Sequence, residues 1–273
     1  HIFVVTTRCN MGCVYCQANN GSEMPHLVMD KEMAEKAVDI ALQSPEQSLC
    51  FEFQGGEPLI NFDIIKHIVE YTELHKLEHI ISYTVVTNLT LLNDEILDFL
   101  ACHNFGISTS IDGNELVHNN NRPYIDGRGT YEKVVESVGR IRASGLHVGA
   151  IETTTRYSLD YSKEIVNAYV DMGFDSIFIR PLTPLGKAAK YWNEIGYTTE
   201  EFIEFYGRSL DELLVINKNG RFIKEDHATI LLRRIRGDFM NYMELRSPCG
   251  AGVGQLAYYA DGNIFTCDEG RML

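Results

Sequence analysis

The sequence predicts an α/β chain: a curved, partly open (β/α)6 barrel that ends in a short cysteine-bearing hairpin. Three observations predict it. Six runs rich in β-branched and aromatic residues are each followed by a run of helical periodicity. Such alternation implies right-handed crossovers and a parallel sheet with helices outside, and six units are fewer than the eight of a closed barrel. From Pro248 onward the pattern changes to cysteine, glycine and a hairpin.

The elements follow in order. Ile2 to Val5 is an apolar strand, and directly after it comes Cys9-Asn-Met-Gly-Cys13-Val-Tyr-Cys16. Asp30 caps a helix to Gln43 that carries Met33, Ala34, Ala37, Val38 and Ala41 at helical spacing. Leu49 to Phe53 is a strand, Phe62 to Lys76 a helix and Ile80 to Val86 a strand. Asn93 caps a helix to Cys102; Gly106 to Ile111 is a strand, Tyr131 to Ser144 a helix and His147 to Thr153 a strand. Asp160 to Met172 is a helix and Ser176 to Ile179 the sixth strand. Thr198 with Glu201 has capping-box spacing and opens a helix to about Asn217. A helix over Lys224 to Arg236 is expected to close the barrel or lead out of it. Leu256 to Tyr259 and Asn263 to Thr266 form a hairpin about an Asp261-Gly262 turn. These readings divide the chain into a barrel core over 1–190, a helical connection over 191–246 and a C-terminal extension over 247–273.

At 273 residues and 45% apolar the chain can bury a full core, and no run approaches the roughly 18 apolar residues of a membrane span. A formal charge of -14 supplies no basic surface for nucleic acid or an anionic membrane. Seven cysteines, three of them crowded together, do not read as a disulfide framework, and a reducing cytoplasm is expected. His1 lies inside a strand-like run and Leu273 just after a cysteine-bearing hairpin, so an excerpt of a longer chain is expected.

By the barrel rule the active site lies at the C-terminal strand ends, where the loops bearing Cys9 to Cys16, Gly55 to Pro58, Thr87 and Asn88, Asp112 and Gly113, and Arg180 converge. Three thiols within eight residues cannot share one face of a helix or strand, but they can point from an irregular loop onto one metal centre. A four-iron cluster takes four thiolates, so three leave one iron open for chemistry. A structural zinc site is the bland alternative. The spacing C-x3-C-x2-C, with Tyr15 before the last cysteine, resembles the cluster loop of the radical S-adenosylmethionine (SAM) enzymes. The resemblance implies a [4Fe-4S] cluster on Cys9, Cys13 and Cys16. It also implies SAM on the open iron, a 5′-deoxyadenosyl radical, and an electron donor such as flavodoxin or ferredoxin.

Further stretches are similar to the same family. Gly55-Gly56-Glu57-Pro58 resembles its GGEP signature, whose glycines let backbone approach the cofactor and whose segment receives the methionine ammonium, a role the resemblance carries onto Gly55, Gly56 and Glu57; how much falls on the Glu57 side chain stays open. Thr87-Asn88-Leu89-Thr90-Leu91-Leu92 is similar to the T-N-x-x-L-L of peptide-modifying members, and the resemblance implies SAM contacts from Thr87 and Asn88 as well as from Tyr15. Ser108 to Gly113, with His118, Asn121-Arg122 and Gly127 to Thr130, resembles their S-x-D-G run, which implies ribose contacts from the strand-four serines Ser108 and Ser110 and a cofactor-binding role for Asp112. Arg180 either forks onto a carboxylate of SAM or substrate or pairs with a carboxylate of the barrel.

Cys249 and Cys267, spaced around Gly262, are similar to the opening half of the SPASM extension of radical SAM peptide maturases, which ligates auxiliary four-iron clusters. The later cysteines of that pattern are missing, so either the ligands lie beyond Leu273 or the extension is a reduced one. Phe53 to Leu59, Ser108 to Gly113, Ser176 to Leu182 and Cys267 to Leu273 resemble the maturase B component of the His-Xaa-Ser peptide system. That implies a ribosomally made precursor peptide as substrate and a second radical SAM protein as partner. The anaerobic sulfatase maturases, which form formylglycine, share much of the series; a non-catalytic SAM- or peptide-binding subunit is the reading from another class. Cys50 and Cys102 read as small core residues, Trp192 and Tyr258 as packing, and His75 with His79 as one solvated helix face.

Overall fold

The computed structural model describes residues 1–18, 26–237 and 249–272; Pro248 and Leu273 fall outside them. The strands are β1 (Ile2–Thr6), β2 (Ser48–Gly55), β3 (Ile80–Val86), β4 (Gly106–Ser110), β5 (Val148–Thr153), β6 (Ser176–Arg180), β7 (Lys224–Glu225), β8 (Ala257–Tyr258) and β9 (Ile264–Phe265). The helices of the barrel units are α1 (Lys31–Ala41), α2 (Phe62–His75), α3 (Asp94–Cys102), α4 (Glu115–Asn121), α5 (Tyr131–Ala143) and α6 (Ser162–Asp171). Beyond β6 follow α7 (Gly186–Lys190), α8 (Trp192–Ile195), α9 (Thr199–Lys218) and α10 (Asp226–Ile235).

Local chemistry sets the helix starts. Asp30 accepts the Met33 N–H at 2.8 Å, Asn93 accepts that of Ile96 at 2.8 Å, and Thr198 with Glu201 forms the reciprocal capping box. Each satisfies donors that a helix start leaves orphaned.

The strands form one open sheet in the order β7-β6-β5-β4-β3-β2-β1-β8-β9, parallel except for the last hairpin. The α/β class and the unclosed barrel are as the sequence predicts. Of the two expected courses for the last helices, closing the barrel or leading out of it, closure does not occur. Lys224 and Glu225 leave the predicted helix to pair parallel with β6, and β8 pairs parallel with β1 through Ile2↔Ala257, so both edges are extended and neither meets the other.

The two faces of the sheet differ. Phe53, Val85, Ile107, Val148, Ile177 and Ile179 face the helices and belong to one continuous buried core. On the opposite face the cross-strand neighbours Glu52 and Thr84, Val86 and Ser108, and Ser110, Ile151 and Phe178 are all half-buried. That concave face is mostly polar and is left open by the helices. At β1 the same side is covered, since Ile2 and Val4 pack with Ala257, Tyr259 and Phe265 of the terminal hairpin.

Two smaller expectations are corrected. Cys50 and Cys102 are exposed rather than in the core. Cys50 falls at the exposed start of β2, and Cys102 ends α3 on its outer side. His79 lies past the end of α2, its ring hydrogen-bonded to the carbonyls of Leu42 and Glu46, so it shares no helix face with His75.

Candidate active site

The cysteine loop leaves β1 and is zipped to the segment that follows α4. Gly12 N–H donates to Pro123 O at 2.8 Å, Val14 N–H to Asn121 O at 2.9 Å, and Met11 bridges Tyr124 in antiparallel fashion. Cys13 therefore stands directly across from Arg122. The loop's far end is fixed from another direction, where Lys187 N–H of α7 donates to Cys16 O at 3.0 Å. All three thiols are half-buried. Met11 N–H points at Cys9 Sγ at 3.5 Å and the Asn88 amide at 4.0 Å. Burial pushes the Cys9 thiol up to about 12, with the Glu57 carboxylate adding to it, and raises Cys13 as well.

The root of the loop is gripped by β2. Gly56 N–H donates to Thr6 O and Glu57 N–H to Arg8 O, each at 2.8 Å. A Cβ on Gly55 would lie 2.4 Å from Thr6 O, and one on Gly56 2.3 Å from Arg8 O. Only glycine admits so close a backbone approach. The Glu57 side chain is turned away from solvent and fully engaged: Oε1 accepts from the Thr87 hydroxyl at 2.6 Å and Leu59 N–H at 3.1 Å, and Oε2 from Asn88 N–H at 2.7 Å. It ties the end of β2 to the end of β3. Burial raises its pKa to about 7 despite those donors.

Past β3 the chain makes a tight turn. Leu89 has φ 62°, an uncommon conformation for a branched residue. It is held there by full burial and by the Ser137 hydroxyl on its carbonyl. The turn aims Asn88 back at the cysteine loop, where its amide donates to Asn10 Oδ1 at 3.0 Å while its own Oδ1 accepts from Thr90.

Tyr15 and Asp112 meet behind the loop. The Tyr15 hydroxyl donates to the Asp112 carboxylate at 2.8 Å and accepts from Arg122 Nη1 at 2.6 Å, and all three residues are buried. Burial raises the Asp112 pKa to about 6, and the Arg122 charge works against that rise. His118 accepts the Asp112 N–H through Nδ1 at 3.3 Å; burial lowers its pKa to about 3, so it stands neutral. Ser108, Ser110 and Arg180 lie instead on the open concave face at its C-terminal end. Arg180 makes no ion pair with a carboxylate among the described residues; its guanidinium lies 5.8 Å from the Phe178 ring centroid.

The terminal extension reaches the same face from the other side. Cys267 Sγ accepts the Gly270 N–H at 3.3 Å, and Cys249 is exposed. Arg271 bonds Asp268 at 2.7 Å and Gln54 of β2 at 3.1 Å, next to Gly55. Among the described residues no three His, Cys, Asp or Glu side chains gather round a single ion. A four-iron cluster takes each thiolate on a separate iron, and a three-thiol loop with donors aimed at sulfur and a cation opposite is a donor set that fits one.

The zipper, the Lys187 contact and the Arg122 pairing were missed from sequence. Only the spacing of Asn121-Arg122 after the fourth strand carried a signal of them.

An open parallel β/α barrel with a three-cysteine loop after its first strand and a polar concave face is the arrangement expected of the radical SAM class. The chain belongs to the Radical SAM superfamily, whose family model matches residues 3–159. An uncharacterized protein of Methanocaldococcus jannaschii is 32% identical over 186 residues, 68% of this chain and 63% of that protein. This chain thus spans less than two thirds of that relative. A cysteine-type anaerobic sulfatase-maturating enzyme of Clostridium novyi is 21% identical over 270 residues, 96% of this chain and 71% of the enzyme. The solved structure of native anSMEcpe with bound AdoMet and Kp18Cys peptide superposes with a TM-score of 0.85 at 22% identity, over 98% of this chain and 74% of the other. The family read from the cysteine spacing is thereby borne out, and with it the cofactors of that family, a [4Fe-4S] cluster and SAM. No helix among the described residues is long and apolar enough to cross a membrane.

Proposed function

We propose that this chain is a radical SAM maturase that modifies a ribosomally made precursor peptide. The observation that carries it is the convergence of the three-cysteine loop with the half-buried polar face of β2 to β6 at one strand-end mouth. Cys9, Cys13 and Cys16 hold the catalytic cluster. A cluster on these thiolates would, with SAM bound, supply the one-electron reductive cleavage of SAM. Gly55 and Gly56 hold the β2 backbone against the cluster loop, and Glu57 fixes Thr87 and Asn88 rather than touching SAM itself. Ser108 and Ser110 offer hydroxyls to the ribose, and Arg180, a cation on an open face, takes a carboxylate. Tyr15 and Asp112 act from behind the loop. Cys249 and Cys267 begin an auxiliary cluster site, and 1–190, 191–246 and 247–273 serve as barrel, connection and extension.

A peptide substrate is supported by the named relatives, one a sulfatase-maturating enzyme and one solved with a peptide bound. The first of these also favours a second reading, oxidation of a Cys or Ser to formylglycine. A ferredoxin or flavodoxin is the electron donor in either case, and a second radical SAM protein is a partner in the first. The test is anaerobic reconstitution followed by iron and sulfide analysis and dithionite-driven SAM cleavage. The wild type should bind about four irons per catalytic cluster and form 5′-deoxyadenosine, and Cys13→Ala should form none. Cluster binding without cleavage would point to a non-catalytic subunit, and zinc in place of iron would sink the proposal.

A further inference from the structure

Helix α9 runs 20 residues, and only one of its faces is packed: Phe205, Ser209 and Leu213 are buried against the rest of the chain. On other faces Ile203, Leu214 and Val215 stand 61%, 54% and 53% exposed. By helical geometry Ile203, Gly207 and Leu214 fall within about 40° of one another, opposite the buried side. They form one apolar ridge along the outside of the helix. Gly207 lies near its middle, although glycine is the poorest residue for a helix interior after proline. The chain's own packing does not demand it, since a Cβ there would meet nothing within 4 Å. A cost with no internal cause points outward: a missing side chain lets another backbone come close.

The charges beside the ridge indicate which backbone. Glu200 and Lys218 stand about five whole turns apart, exposed at the two ends of the same outward face. Neither makes an ion pair among the described residues, and nor do Glu204 and Asp211. A second α9 laid antiparallel across the first, about a two-fold axis level with Ser209, sets Glu200 against Lys218 of the partner subunit at both ends. The same operation brings Ile203 level with the partner's Leu214, and Asp211 level with the partner's Gly207. Arg208, held at the rim by its bond to Leu159 O at 2.7 Å, comes beside the partner's Asp211. A two-fold interface requires a patch that complements itself. Acid, apolar, glycine, apolar and base in that order along one line do so.

We propose that the outward face of α9 is a homodimer interface, on which a second copy of this chain packs antiparallel with Gly207 beside the axis. The inference goes beyond the function assigned to the strand-end mouth and does not depend on it, because α9 packs on α6 and the buried core rather than on the concave face.

The experiment is sedimentation equilibrium of the chain over a concentration series, under anaerobic reducing conditions that keep the exposed Cys50, Cys102 and Cys249 from forming disulfides. Wild type is compared with Gly207→Leu, Glu200→Lys, Lys218→Glu and the double variant Glu200→Lys/Lys218→Glu. The expected result is a reversible monomer–dimer equilibrium for wild type, weakened about tenfold or more by Gly207→Leu and about tenfold by each single reversal. The double variant restores the opposite charges across the axis and should return to within about threefold of wild type. A loss confined to the folding of α9 predicts the reverse order, with the double variant worst. A chain that is monomeric at every concentration, a dimer that Gly207→Leu leaves unmoved, or a double variant weaker than both singles overturns the inference. Should Gly207→Leu lose helix by far-UV circular dichroism, the three charge variants decide by the same rule.

Discussion

At Glu57 the sequence leaves the part of the side chain open, and the structure shows what its oxygens bond. The GGEP resemblance places it by the cofactor, whereas both its oxygens are spent on Thr87, Leu59 and Asn88. Sequence shows which residue stands at the strand end; it does not show which way the side chain turns. With a folded pKa of about 7 against 4.5 in the unfolded chain, the folded state keeps a proton that the unfolded state loses. The stabilisation is therefore complete below about pH 4.5 and disappears as pH rises through about 7. In Glu57→Gln the amide NH2 faces a backbone donor, so stability should fall by about 1–3 kcal/mol. The slope of melting temperature between those pH values should also flatten; an unchanged slope would show that Glu57 does not titrate there. Gly56→Ala is a matter of space rather than charge. Its Cβ would overlap the Arg8 and Thr7 carbonyls, and the expected cost is about 2 kcal/mol or more. The readouts are thermal unfolding and iron content after reconstitution, and both should drop.

Elements were legible where one physical rule dominates. The span of β3, Ile80–Val86, and the caps Asp30, Asn93 and Thr198 follow from periodicity and capping chemistry. Left unread were α4, α7 and α8, with 7, 5 and 4 residues, too short to show a helical period. Yet these short pieces hold the site. The segment after α4 zips to the cysteine loop, and α7 seats its first turn on the carbonyls of Cys16 and Gln17. Gly186 makes that seating possible: its φ is 55°, and a Cβ there would stand 2.2 Å from Gln17 O. Gly186→Ala combines a left-handed backbone with a carbonyl overlap and should cost about 2 kcal/mol or more. Because α7 holds one end of the loop, the variant should also load less iron than wild type while the sheet stays intact by far-UV circular dichroism. Full loading in that variant would mean the loop does not depend on α7.

Across the whole molecule, the α/β alternation gave away the order of six strands but not how the sheet ends. The late helices were expected either to close the barrel or to lead out of it, and the structure extends each edge with a two-residue strand, β7 on β6 and β8 on β1. Pairings of only two residues, Ser176 with Lys224 at one edge and Ile2 with Ala257 at the other, leave no periodic trace. Their stability must come from packing and from anchors such as Arg271, which crosses from the terminal turn to Gln54 with its side chain 4% exposed. In Arg271→Met the apolar stem is kept and the charge-assisted hydrogen bonds to Asp268 and Gln54 are lost, about 1.5–3 kcal/mol of local stabilisation. Amide exchange over 257–272 should then quicken by at least about tenfold, since 1.4 kcal/mol is a factor of ten. Exchange in β3 to β6 should not change, because those strands lie on the far side of β2 from the anchor. Equal acceleration throughout would instead show the extension to be part of one cooperative unit with the barrel. No acceleration anywhere would show that the apolar contacts of Tyr259 and Phe265 hold it without Arg271.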